Sequence, residues 1–152
     1  MCQPGYYCPE GSLRSNEVKC GDGGRYCPKG SPHPITVKKG YYSADIHGTT
    51  STPESTRSQQ LLTPKGHYSI DGLLYKCPAG YYGATEGIAS ISCSGRCNIP
   101  GFYCPAGSVS PQMRICGADD LFCPAGTAAP IKVYPGFYTG DYLYELCPPG
   151  KT

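Results

Sequence analysis

The side chains best equipped for chemistry are eleven cysteines among 152 residues. A thiolate can attack an electrophile, ligate a metal or join a second sulfur, and spacing separates these uses. The successive intervals from Cys2 to Cys8, Cys8 to Cys20 and Cys20 to Cys27 are 6, 12 and 7 residues. Structural zinc sites place their paired ligands closer, near Cys-x-x-Cys spacing, so zinc is the weaker reading. His33, His47 and His67 have neither metal spacing nor a matched acid, and read as exposed loop histidines. Asp119 and Asp120 lack the alternating acidic set of a calcium loop, and "GDGG" at 21–24 lacks the Lys-Ser/Thr of a phosphate loop. No nucleophile, base and orienting group stand together. The expectation is no enzyme, no metal and no cofactor, with the cysteines in disulfides formed in an oxidising compartment.

The thiols recur with a period. Cys8, Cys20 and Cys27 move by 96 residues onto Cys104, Cys116 and Cys123, and Pro34, Ile35, Val37, Gly40 and Tyr42 follow onto Pro130, Ile131, Val133, Gly136 and Tyr138. Cys2 meets Cys97 after a one-residue adjustment. A second register, at 70 residues, lays Gly66, Tyr68, Asp71, Leu73, Cys77, Pro78 and Gly80 on Gly136, Tyr138, Asp141, Leu143, Cys147, Pro148 and Gly150. A fixed period signals modular architecture. The reading is a first repeat unit over 1–96 and a truncated second over 97–152. The first carries about 26 extra residues around 40–65, whose Ser/Thr-rich part covers about 43–62. Cys147 would be unpaired, its partner lying past Thr152 in a longer array. The start, "MCQPGYYCPEG", has neither the basic nor the apolar region of a signal peptide, so a secreted chain would be mature or an excerpt.

Four copies of one motif stand out: "CQPGYYCPEGS", "CGDGGRYCPKGS", "CNIPGFYCPAGS" and "CGADDLFCPAGT". A fifth, "TPKGHYSIDG" at 63–72, keeps Gly66, Tyr68 and Gly72 but has Thr63 and Ser69 where Cys2 and Cys8 stand. Two thiols that vanish together are partners, because a lone survivor would be a reactive free thiol. Local bridges Cys2 to Cys8, Cys20 to Cys27, Cys97 to Cys104 and Cys116 to Cys123 follow, leaving Cys77 for Cys93. A crossed scheme, first to third and second to fourth, remains open, since six cysteines allow fifteen connectivities.

Composition says why staples are needed. Leu, Ile, Val and Phe together number 23 of 152 residues, with no tryptophan. Ordering costs roughly 1.5 kcal/mol per residue, and so thin an apolar supply does not meet it. Closing a seven-residue loop with a disulfide offsets roughly 2.4 kcal/mol in the chain-entropy model. Net charge is +2, with 13 basic and 11 acidic residues scattered, which gives no reason to expect nucleic acid or an anionic membrane as partner. No stretch approaches a membrane span.

The elements holding the thiols are turns and short hairpins with little helix. The clearest hairpin is "HYSIDGLLYK", reversing at Asp71 and Gly72. Tyr7, Tyr26, Tyr42, Tyr68, Tyr82, Tyr103 and Tyr138 are expected to cover disulfides in place of a core, or in part to make contacts between chains. "TTSTPESTRS" at 49–58 reads as an exposed loop, with Thr49, Thr50, Ser51, Thr52, Ser55 and Thr56 as candidate O-glycosylation sites. No Asn-x-Ser/Thr sequon occurs.

"CPAGYYGATEGIASISCSGRC" resembles the ephrin-receptor-like cysteine-rich repeat, and "GFYCPAGS" and "GYYCPEGS" are similar to units in large surface proteins of algae, oomycetes and other protists. The resemblance covers most of the chain outside 43–62, although Cys93 and Cys97 are one residue further apart than the family's Cys-x-x-Cys. It implies growth-factor-like disulfide ladders in the extracellular space, doing structural or interaction work, with no catalytic residues. The expected fold class is therefore small and disulfide-rich: tandem repeats of hairpins and turns forming an elongated rod. The expected role is a non-enzymatic structural protein of a rod or surface filament, partnered by its own kind or neighbouring repeats and decorated with O-linked sugar. The alternative is a ligand-binding or adhesive ectodomain.

Overall fold

The computed structural model describes residues 1–118 and 120–134, and the backbone of 137–140 and 143–146. Asp119, Cys147 and the Tyr138 side chain, all of which figure in the sequence reading, lie outside the described residues.

The fold is a small, disulfide-rich series of antiparallel hairpins, each a two-stranded sheet. β1 (Tyr6–Tyr7) pairs with β2 (Val18–Lys19), and β3 (Arg25–Tyr26) with β4 (Ile35–Thr36). β5 (Tyr41–Ala44) pairs with β6 (Gln59–Leu62), and β7 (His67–Ile70) with β8 (Leu73–Lys76). β9 (Tyr81–Tyr82) pairs with β10 (Gly95–Arg96), β11 (Phe102–Tyr103) with β12 (Arg114–Ile115), and β13 (Leu121–Phe122) with β14 (Ile131–Lys132). β15 (Phe137–Gly140) and β16 (Leu143–Leu146) close the series. One short 3-10 turn, Glu54–Thr56, is the only helical element among the described residues. The strands obey the sequence period: β1 to β5 recur as β11 to β15 at 96 residues, and β7 and β8 recur as β15 and β16 at 70.

Most strands are two residues long because the proline and glycine of each motif turn the chain back within a few residues. Sulfur fills the interior. Among the described residues, seven of the nine buried apolar ones are cysteines, the others being Ala44 and Tyr68, with no Leu, Ile, Val or Phe among them. Five bridges join Cys2 to Cys8, Cys20 to Cys27, Cys77 to Cys93, Cys97 to Cys104 and Cys116 to Cys123, with Cα separations of 5.7–6.4 Å. The linkage is between neighbours and not crossed. The motif tyrosines are mostly half-buried, so they lean on the structure more than they fill it.

Two compact units are present, Met1–Tyr75 with Glu86–Ser90, and Lys76–Thr85 with Ile91–Thr152. This division departs from the repeat boundary at 96/97. The difference has a local cause, since Gly87 and Ile88 hydrogen-bond to Thr63 and Ser69 and so belong with the first unit.

Candidate functional site

The Cys-Pro-x-Gly-Ser/Thr ending of each motif is one turn built four times. The carbonyl of Pro9 accepts from both the backbone N–H and the hydroxyl of Ser12, at 3.1 and 2.7 Å. Pro28 with Ser31, Pro105 with Ser108 and Pro124 with Thr127 repeat the arrangement, with hydroxyl distances of 2.6–2.7 Å. The intervening Gly11, Gly30, Gly107 and Gly126 have φ of 80–87°, the third position of a type II turn, which only glycine occupies freely. The terminal hydroxyl therefore locks the turn, a role that the repeated Ser/Thr could have signalled in the sequence.

These turns mate in register through a three-bond clasp. The Gly5 N–H donates to the Cys27 carbonyl at 2.8 Å, the Gly30 N–H to the Cys2 carbonyl at 2.9 Å, and the Cys8 N–H to the Ser31 carbonyl at 2.9 Å. Ninety-six residues later Gly101, Gly126 and Cys104 donate to the carbonyls of Cys123, Cys97 and Thr127 at 2.6–3.1 Å. A third clasp has Gly80 donating to Cys104, Gly107 to Cys77 and Gly83 to Ser108, at 2.7–2.9 Å. The loop of Cys97 to Ser108 thus mates with residues 77–83 before it and with residues 123–127 after it.

At the cysteine-free copy two of the three bonds recur. Gly87 donates to the Thr63 carbonyl at 2.8 Å and Ser69 to the Ile88 carbonyl at 3.0 Å, as Gly30 and Cys8 do at the first copy. In place of sulfur, the Thr63 hydroxyl donates to Ser69 Oγ at 2.8 Å, with Thr63 at 0% and Ser69 at 3% exposure. Tyr68 beside them is the one buried tyrosine among the described residues and stacks on Tyr75 with ring centroids 5.3 Å apart. A hydrogen bond and an aromatic pair occupy the place of a disulfide.

The 43–62 insertion is more ordered than an exposed hydroxyl-rich loop. β5 and β6 enclose it, and Ser43, Ala44, Asp45, Arg57 and Ser58 are buried. Asp45 is its hub: its carboxylate accepts from the backbone N–H groups of His47 and Thr49 at 3.0 and 2.8 Å and from the Thr49 hydroxyl at 2.5 Å. Those donors, the Thr49 hydroxyl foremost, hold the carboxyl below its ordinary pKa against the opposing effect of burial. Arg57 is its clamp. Its Nη1 donates to the carbonyls of Ser43 and Thr49 at 3.2 and 3.3 Å and its Nη2 to that of Thr50 at 2.9 Å, while Nε is buried without a partner. Sequence reasoning passed over both residues, since an isolated Asp and Arg in a polar run carry no signal of burial.

This order sorts the candidate sugar acceptors. Thr50 is exposed, and Ser51 is exposed with its hydroxyl hydrogen-bonded to that of Thr49 at 2.6 Å. The Thr49 hydroxyl is engaged by Asp45, the Thr52 hydroxyl oxygen is buried, Ser55 is half-buried, and the Thr56 hydroxyl donates to the Pro53 carbonyl at 3.2 Å. His33 and His47 are exposed and His67 half-buried, and no three metal-ligating side chains gather among the described residues. A groove of about 300 Å³ in the first unit is edged by Lys38, Lys39, Tyr41 and Asp71. No helix among the described residues is long and apolar enough to cross a membrane. Many disulfides point to an oxidising environment, the extracellular one above all. No family model, curated protein or solved structure matches this chain.

Proposed function

We propose that this chain is a non-enzymatic extracellular structural protein of the ephrin-receptor-like cysteine-rich kind, whose disulfide-closed loops are tandem building units of a rod or surface filament. One observation carries the reading: the three-bond clasp recurs between successive loops at the 96-residue period. A unit that presents one half-clasp backwards and another forwards suits indefinite extension, and it gives the fold a reason to repeat. Exposed Thr50 would carry O-linked sugar. Negative-stain microscopy of native material tests the filament, with fibres of regular axial repeat expected. Dispersed particles at high concentration would remove it.

A ligand-binding or adhesive ectodomain is the second reading, favoured by the groove edged by Lys38, Lys39 and Asp71. It requires saturable binding to a cell-surface partner that Lys38→Glu weakens.

A further inference from the structure

Among the described residues, one bridge has a cysteine on strained backbone. Cys93 has a φ of 50°, and it and Asp71 are the two non-glycine residues there with positive φ. Aspartate often adopts that conformation and cysteine does not. Such backbone persists where the surroundings over-determine it, and here the bridge to Cys77 is the covalent tie. Burial sets the two ends of the bridge apart: Cys77 is at 0% exposure and Cys93 is half-buried, so an incoming group meets Cys93 first. Cys8 and Cys116 are half-buried without positive φ, and Cys20, Cys27, Cys97 and Cys104 are all buried. The bridge also spans 16 residues where the others span 6 or 7, so its loop gains the most freedom on opening.

The tip of that loop is part of a groove. Glu86–Ser90 packs with the first unit, where Gly87 donates to the Thr63 carbonyl at 2.8 Å and Ser69 to the Ile88 carbonyl at 3.0 Å. Ala89, next in the chain, lines the groove edged by Lys38, Lys39, Tyr41 and Asp71. A Cβ on Gly40 would stand 2.7 Å from the Gly87 carbonyl oxygen, so the tip lies backbone to backbone against Gly40, another lining residue. We propose that the bridge of Cys77 and Cys93 is a thiol-exchangeable clip, opened by a low-molecular-weight thiol to free the tip at 86–90 and widen the groove at its Ala89 wall. A thiolate attacks Cys93 Sγ and forms a new S–S bond there as the bond to Cys77 breaks. The electron pair leaves on Cys77, which takes a proton from water. A second thiolate attacks the thiol-derived sulfur of the mixed disulfide and releases Cys93, so the bridge gains two electrons and two thiols become one disulfide. Once released, Cys93 relaxes to negative φ, which favours opening by about tenfold over an unstrained bridge. The clip regulates the groove of the ligand-binding reading and rests on that reading for its purpose.

The full chain equilibrated in glutathione redox buffers, quenched with N-ethylmaleimide and mapped by mass spectrometry, tests the clip, with amide exchange followed on the same samples. The exchange constant for Cys77 with Cys93 is expected to be about tenfold larger than that for Cys2 with Cys8 or Cys116 with Cys123, and the Gly87 amide to lose protection as that bridge opens. Cys77→Ala with Cys93→Gly, which keeps a residue suited to positive φ, should free the Gly87 amide with no thiol added. Intact bridges of Cys20 with Cys27 and Cys97 with Cys104 show that this variant folds. An exchange constant no larger than that of Cys116 with Cys123, or a Gly87 amide still protected once the bridge is open, overturns the clip and leaves the groove standing. Early opening with a freed Gly87 upholds the clip, and it does so even where Lys38→Glu leaves binding to a cell surface unchanged, a result that removes the groove reading alone.

Discussion

At the residue scale, the pair Thr63 and Ser69 shows what a disulfide does here, because it does the same work without one. The two hydroxyls are buried and bonded to each other at 2.8 Å, and the Gly87 to Thr63 and Ser69 to Ile88 backbone bonds match those of Gly30 to Cys2 and Cys8 to Ser31. Restoring sulfur with Thr63→Cys and Ser69→Cys together should therefore form a bridge and raise stability by roughly 2 kcal/mol, the entropy of closing so short a loop. Thermal melts with and without reductant measure it, and a double variant no more stable when oxidised would show that the loop cannot take disulfide geometry. Thr63→Val alone leaves the Ser69 hydroxyl buried without its donor and should cost about 1–3 kcal/mol. Asp45 supplies a pH-dependent counterpart. Its folded pKa is lowered, so its contribution is present above the ordinary carboxyl value of roughly 3.9 and is lost as pH falls through the lower folded value. The His47 and Thr49 amides should lose exchange protection in that acid window, and Asp45→Asn should flatten the dependence. The sequence made the joint loss of two cysteines visible. It did not show what replaced them, because a threonine and a serine in a turn-rich segment look like surface residues.

At the element scale, the hairpin of β7 and β8 was legible because its turn needs a chemistry that few residues supply. Asp71 and Gly72 have φ of 51° and 76°, both positive, as a two-residue type I′ reversal demands. Gly72 has a second constraint, since a Cβ there would strike the Gly23 carbonyl oxygen. Gly72→Ala should thus cost more than Gly11→Ala, which meets open space and bears only the left-handed strain of about 1–2 kcal/mol. Chemical denaturation of the two variants ranks them, and equal costs would mean that the backbone contact at Gly72 relaxes freely. The hairpin of β5 and β6 was not legible in the same way. Its strands flank "TTSTPESTRS", whose composition reads as a solvated loop, and its order comes from Asp45 and Arg57 bonding to backbone groups that no local pattern reveals. Tertiary hydrogen bonding, not propensity, decides that segment.

At the scale of the whole molecule, the two units hold themselves together by different means, and reduction should separate them. The first contains two bridges, the buried Thr63 and Ser69 pair, the stacked Tyr68 and Tyr75, the Arg57 clamp and the four-residue strands β5 to β7. The second contains three bridges, and its hairpins of β9 with β10, β11 with β12 and β13 with β14 have strands only two residues long. Among the described residues its buried apolar ones are Cys77, Cys97, Cys104 and Cys123, whereas the first unit also buries Ala44 and Tyr68. Breaking sulfur links returns the loop entropy to the unfolded chain, and what survives depends on how much other bonding remains. Under graded reductant, exchange mass spectrometry should show peptides from 97–134 losing protection before those from 41–75. Synchronous loss would mean that the hydroxyl, aromatic and arginine contacts of the first unit only decorate a structure that its own two bridges hold. Loss in the reverse order would assign the stronger framework to the second unit and make short strands sufficient wherever bridges are dense.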